Sequence, residues 1–177
     1  MRLVWAILLG GLAAGVLDIL YAFAAYGPLS YGLSPQQVLH SVAAGWIGRE
    51  AARAGGIDTA MLGLATHFLI ATIFAAIYVL AATRLPALTR GALLWGFLNG
   101  LILYGAMNYV VVPLSAAAAG HFATGSEIVP RLQVSLSQVR GGSDDFPWLL
   151  WGTIFTHTVF VGMPIALITR RFLGRQS

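Results

Sequence analysis

Three ionisable side chains, Asp18, His67 and His157, stand inside otherwise apolar stretches of this sequence. A carboxylate and two imidazoles can pass a proton, hold a cation or small polar solute, or ligate a metal or haem iron. Which of these is open depends on whether the three can meet. The stretches that carry them run over 3–26, 58–82 and 147–169, with a fourth over 91–112. Each holds roughly 22 residues, enough to cross ~30 Å of hydrocarbon at 1.5 Å per residue. All four are too long and too uniformly apolar for strands.

Asp18 lies about eight residues from Tyr26, His67 about nine from Asp58 and His157 about ten from Pro147. At helical rise this sets all three ~12–15 Å below one boundary. Successive residues turn by 100°, which places Gly11, Gly15, Asp18 and Ala22 on one stripe. Gly63, His67, Ala71 and Phe74 form a second, and Thr153, His157, Phe160 and Pro164 a third. The fourth stretch presents Gly96, Gly100, Tyr104 and Met107, with Tyr104 nearly level with the histidines and Asn108 one turn closer to the boundary. Asp18, His67, His157, Tyr104 and Asn108 are therefore the candidate cluster. The pairs Gly11–Gly15 and Gly96–Gly100 predict close helix packing, since small residues let membrane helices approach.

The plain alternative is a polar strut that fixes helix register. An interhelical polar pair contributes roughly 0.6 kcal/mol, whereas a charged aspartate at the centre of a membrane helix costs about 2.5–3.5 kcal/mol. One such bond does not offset the burial, which favours a cluster kept for function.

The composition agrees with a membrane protein. The chain is 58% hydrophobic and 9% charged, with mean hydropathy +0.81, against roughly 25% charged residues in a soluble domain. Absence of cysteine excludes disulfides, thiolate metal sites and Cys nucleophiles. Every basic residue is arginine, as a GC-rich bacterial genome would encode. The net charge of +4 comes without a basic run, so no nucleic-acid partner is expected. Arg2, Arg84, Arg90, Arg170, Arg171 and Arg175 fall at one side with no acid among them. Arg49, Arg53, Arg131 and Arg140 fall at the other with Glu50, Asp58, Glu127, Asp144 and Asp145. The positive-inside rule makes the first side cytoplasmic. Trp5, Trp95 and Tyr78 then serve as inner interfacial anchors, and Tyr26, Tyr109, Trp148 and Trp151 as outer ones. The first stretch is read as retained, being longer than a signal-peptide core and interrupted by Asp18.

The expected architecture is an all-α integral membrane four-helix bundle in a bacterial inner membrane, a single transmembrane domain over 1–177 with both termini cytoplasmic. The link TRLPALTR is short, so the second and third spans are antiparallel neighbours. The segments 27–57 and 113–146 are long and extracytoplasmic. Ser34-Pro35 predicts a helix start. Val38, Leu39, Val42, Ala43, Trp46 and Ile47 form its apolar stripe, with Gln37, His40, Ser41 and Glu50 away from it and Gly55-Gly56 as its end. The second segment predicts a short helix over 126–139, bent at Pro130, then the turn GGSDDFPW. Either segment could form a lid or a docking surface.

A histidine followed by FAAIYVLAA, a glycine-studded span ending in MNYVVVPLS, and a last span with a histidine closing on Arg170-Arg171 carry a likeness. The four spans resemble small bacterial inner-membrane proteins of the YagU type. The resemblance implies the same bundle and no settled activity. Asp18 departs from that group's pattern, so a shared role cannot rest on it.

The favoured function is binding or conduction of a proton, cation or small polar ligand by Asp18, His67 and His157 from the extracytoplasmic side. One four-span chain has little room for a pathway, which predicts a homo-oligomer. The first alternative is a bis-histidine haem b protein, with His67 and His157 on diagonal spans and Gly15 and Gly105 leaving room beside the ring. The second is a metal-dependent membrane enzyme using the same three side chains on a divalent ion, although no HExxH pair is present.

Overall fold

The computed structural model of the chain describes residues 1–174; Arg175, counted above with the basic side, lies outside them. The described residues form helices and no strand. We label them α1 (Arg2–Tyr26), α2 (Pro35–Ile47), α3 (Arg49–Ala54), α4 (Ile57–Arg84) and α5 (Ala87–Arg90). Then follow α6 (Ala92–Leu114), α7 (Ala116–Ala119), α8 (Gly125–Leu136) and α9 (Trp148–Leu173). Helices α1, α4, α6 and α9 are long and apolar enough to cross a membrane. Each covers its expected stretch within a few residues.

The chain divides into two compact units. The first comprises Met1–Tyr21, His67–Tyr104 and the chain from Thr153. Its core is small and tight: Ala14, Ala75, Ala82, Ala92 and Ala166 pack with Tyr78, Leu103, Val161 and Ile165. Small side chains let the helices meet almost at the backbone. A Cβ on Gly11 would stand 2.7 Å from the Thr72 Cα, and one on Gly96 2.8 Å from the Met163 Cα. A Cβ on Gly100 would overlap the backbone of His157 and Thr158, while Gly162 of α9 abuts Gly96 and Gly100 in return. Tyr78 is not the interfacial anchor its position suggested. It is 4% exposed and donates its hydroxyl to the Leu88 carbonyl at 3.1 Å, tying α4 to α5.

Helices α6 and α9 each contain one wide, π-helical turn, over Met107–Val111 and Thr156–Gly162. Both turns stop just before a proline. The Val112 amide reaches back five residues to Met107, and the Met163 amide to Thr158; Pro113 and Pro164 come next. A proline ring has no N–H and collides with the carbonyl four residues earlier. A widened preceding turn relieves both problems without ending the helix. Pro113 therefore does not stop the third span, which continues to Leu114. In α9 the wide turn also breaks the 100° register assumed for the stripe Thr153, His157, Phe160 and Pro164. The buried residues are Leu149, Thr153, Thr156, Thr158, Val161, Gly162, Ile165, Ala166 and Thr169, with His157, Phe160 and Pro164 half-buried.

The second unit comprises Ala22–Thr66 and Gly105–Gly152. Helix α2 starts as expected, with a reciprocal capping box between Ser34 and Gln37 and Pro35 in the first turn. It ends earlier than expected, at Gly48, whose φ of 82° suits glycine; α3 then runs to the Gly55-Gly56 break. The expected apolar stripe is corrected in part. Val38 and Ala43 are buried, but Trp46 is 50% exposed and Ile47 is exposed too. His40, placed away from that stripe, is buried and donates Nε2–H to the Gly56 carbonyl at 3.0 Å. Trp46 is held by Nε1–H donation to Thr66 Oγ1 at 2.9 Å and by an edge-on contact with Phe122. Arg49 donates to the Ala117 carbonyl at 2.8 Å, joining α3 to α7.

These packings differ in what they tolerate. Gly100→Ala should destabilise the fold by about 1–3 kcal/mol through overpacking. Gly105→Ala, with nothing within 4 Å of the added carbon, should be neutral or stabilising by up to about 1 kcal/mol. Denaturant unfolding in detergent micelles distinguishes them, and equal effects would show that the close approach at Gly100 is not a constraint.

Candidate functional site

Three helices of the first unit bring a polar group together inside apolar surroundings. Asp18 of α1 accepts a hydrogen bond at Oδ1 from the Thr156 hydroxyl of α9, at 3.1 Å. Its other oxygen, Oδ2, stands 3.9 Å from Nδ1 of His67 on α4. That distance is an ion-pair separation, longer than a direct hydrogen bond. The opposite ring nitrogen, His67 Nε2, lies 2.9 Å from the Gly15 carbonyl, one turn before Asp18 on the same helix. The His67 ring also meets Phe68 edge-on. The His67 side chain is 12% exposed and that of Asp18 26%.

The Gly15 carbonyl fixes the histidine's chemistry. A carbonyl can only accept, so Nε2 must carry a proton and the neutral ring presents its Nδ1 lone pair to Asp18. One further proton, on either the carboxyl or Nδ1, leaves the pair neutral overall.

His157 takes a different place from the one its level suggested. Its Nδ1 lies 2.8 Å from the Thr153 carbonyl one turn earlier, so Nδ1 is the protonated nitrogen. Its ring meets Tyr104 edge-on, with centroids 6.0 Å apart. Asp18 is instead met by Thr156, the residue before His157. Thr156 escaped the sequence reading because uniform helical register turns it off the His157 stripe. Pro164 was the available signal, since a proline inside an apolar helix forces a local change of turn. Asn108 belongs to the second unit, half-buried in the wide turn of α6. Gly11, Gly15, Gly96 and Gly100 all lie at close helix contacts.

Neither prosthetic-group alternative fits these residues. Among the described residues no group of three His, Asp or Glu side chains could hold a metal ion, so Asp18, His67 and His157 do not form the expected ligand set. For haem, His67 Nε2 is committed to the Gly15 carbonyl. The room expected beside Gly15 is filled by the Phe68 ring, 2.7 Å from where a Cβ would be, whereas Gly105 faces open space.

A second polar group lies outside the long spans. The Thr124 amide donates to Glu127 at 2.9 Å, and Arg131 donates to the same carboxylate at 3.0 Å. His121 stands 3.8 Å from it. The Thr124 amide, with help from Arg131 and His121, holds the Glu127 carboxyl below the usual glutamate range. A lowered carboxyl stabilises the folded segment above the ordinary glutamate pKa, and that contribution is lost as pH falls through the lowered value.

Two measurements check these assignments. Nitrogen-15 NMR should find neutral His67 protonated at Nε2 and neutral His157 at Nδ1, and like tautomers would contradict the geometry. The Thr124 amide resonance should titrate below the range of a free glutamate, and Glu127→Gln should abolish that titration. No family model, curated protein or solved structure matches this chain, so the chemistry of its own side chains carries the functional reading.

Proposed function

We propose that this chain is a multi-pass protein of a bacterial inner membrane, a four-helix bundle with both termini cytoplasmic, in which Asp18 and His67 take up and pass a proton from the extracytoplasmic side. The arginine asymmetry supports the orientation, and the likeness to YagU-type proteins supports the location. The observation that carries the proton reading is the paired geometry: Thr156 on one carboxylate oxygen, the His67 Nδ1 lone pair near the other, and Nε2 locked on Gly15. An ionisable group kept inside an apolar helix is a functional-site hypothesis by default, and this pair holds one proton on either member without net charge, passing it when the 3.9 Å gap closes to hydrogen-bond distance or is bridged by one water.

Thr156 donates to Asp18 Oδ1 and orients the carboxyl toward His67, and the Gly15 carbonyl keeps the imidazole in the receptive tautomer. His157 and Tyr104 lie beside the route on α9 and α6 as further proton-handling groups. A single chain encloses little room for a continuous path, so the working unit is a homo-oligomer. A cation or small polar ligand held by the Asp18 carboxylate is the same site used differently.

Asp18→Asn tests the reading, because the amide oxygen still accepts from Thr156 and the fold should survive by circular dichroism. Infrared difference spectra between acid and alkaline buffer should show a protonated-carboxyl band that disappears in Asp18→Asn. Proton flux into dye-loaded liposomes should fall to the protein-free background in the same variant. Wild-type flux that Asp18→Asn and His67→Gln both leave unchanged would overturn the proposal.

A further inference from the structure

A groove of about 640 Å³ runs along the first unit between α1 and the end of α9. Leu9, Leu12, Val16 and Leu17 line it from one side, and Phe172 and Arg171 from the other. Its volume falls within the ~300–1,000 Å³ of small-molecule sites. Unlike such sites it is open along its length, and four of its leucine and valine side chains are exposed. Both helices are long and apolar enough for a membrane, so the groove faces hydrocarbon. Arg171 is its single charged liner among the described residues.

We propose that this groove is a binding site for one anionic phospholipid, its phosphate on Arg171 and an acyl chain along Leu17, Val16, Leu12 and Leu9. The site rests on the helices crossing a bilayer and is independent of proton exchange at Asp18. From Leu9 to Leu17 the helix rises ~12 Å, room for a substantial part of one acyl chain. An arginine at a helix end can bury its stem in hydrocarbon and keep its guanidinium at headgroup level. There it matches the planar, bidentate geometry of a phosphate.

A second copy of the chain suits the groove less well. The stretches 1–17, 75–100 and 163–174 contain no Asp or Glu. A parallel copy could fill the apolar part but would bring no anion to Arg171, and would set its own arginines there instead. A phospholipid supplies chain and anion together, and each basic side chain at a membrane surface favours an anionic headgroup.

The test is native mass spectrometry of the full chain in detergent, titrated with phosphatidylglycerol or with phosphatidylcholine. Wild type should retain one phosphatidylglycerol and prefer it over phosphatidylcholine by about fivefold, the contribution of one basic side chain near an anionic surface. Arg171→Gln should abolish the preference, whereas Arg170→Gln, next in sequence but not lining the groove, should keep it. Val16→Trp should fill the groove and reduce adducts of both lipids. Equal binding of the two lipids by wild type would overturn the proposal. So would a preference that survives Arg171→Gln, or an equal loss in Arg170→Gln that marks nonspecific charge attraction. A dimer signal that Val16→Trp removes, with lipid adducts unchanged, would assign the groove to a second copy instead.

Discussion

Long apolar helices leave a polar side chain only the neighbouring helices from which to find a partner, and this chain is arranged around that scarcity. Asp18 could not stand on its helix without a donor, and Thr156 is placed to donate. His67 needs an acceptor for one ring nitrogen, and the Gly15 carbonyl is reachable because no side chain covers it. Buried threonines turn their hydroxyls back onto their own helix: Thr158 donates to Ile154 and Thr169 to Ile165. His157 does the same toward Thr153. Each bond satisfies a group that hydrocarbon could not.

That economy depends on close backbone approach. Alanines and glycines fill much of the core of the first unit where a soluble core would use leucine, and apart from Leu88 and Leu103 its leucines are exposed or half-buried. Apolar attraction between helices is weak when the surroundings are equally apolar, so dispersion contacts between closely spaced backbones have to hold them. Gly96, Gly100 and Gly162 form such a seam between α6 and α9. It sits directly beside the wide turn of α9, so the packing that joins α6 to α9 also fixes the segment carrying Thr156 and His157. Packing and site are one arrangement there.

The second unit solves a different problem. Its short helices are held by caps and side-chain bonds to backbone, through Ser34, Gln37, Arg49 and the Thr124–Glu127 pair, and by the Trp46 bond to the Thr66 hydroxyl. Charge is used there as it is in water-facing proteins, with Glu127 between an arginine, a histidine and a helix N-terminus. Yet Trp46, Val129, Leu136 and Val139 remain exposed.

Local signals in the sequence determined much of the architecture. Apolar length marked all four long helices, Ser34-Pro35 marked a helix start, and Gly11, Gly15, Gly96 and Gly100 marked close contacts, because each effect depends on nearby residues alone. Depth counting also brought Asp18 and His67 to one level, since helical rise is nearly constant. Rotation about the helix axis is less forgiving. In α9 it is Thr156 rather than His157 that meets Asp18, at the start of the widened turn ahead of Pro164. The burial of His40 and the bond that takes Tyr78 off the interface likewise depend on partners distant in sequence or across a turn. The sequence alone determined which residues are deep in apolar helices; only tertiary structure decided which of them touch, because contact depends on rotational register and on how closely neighbouring backbones come.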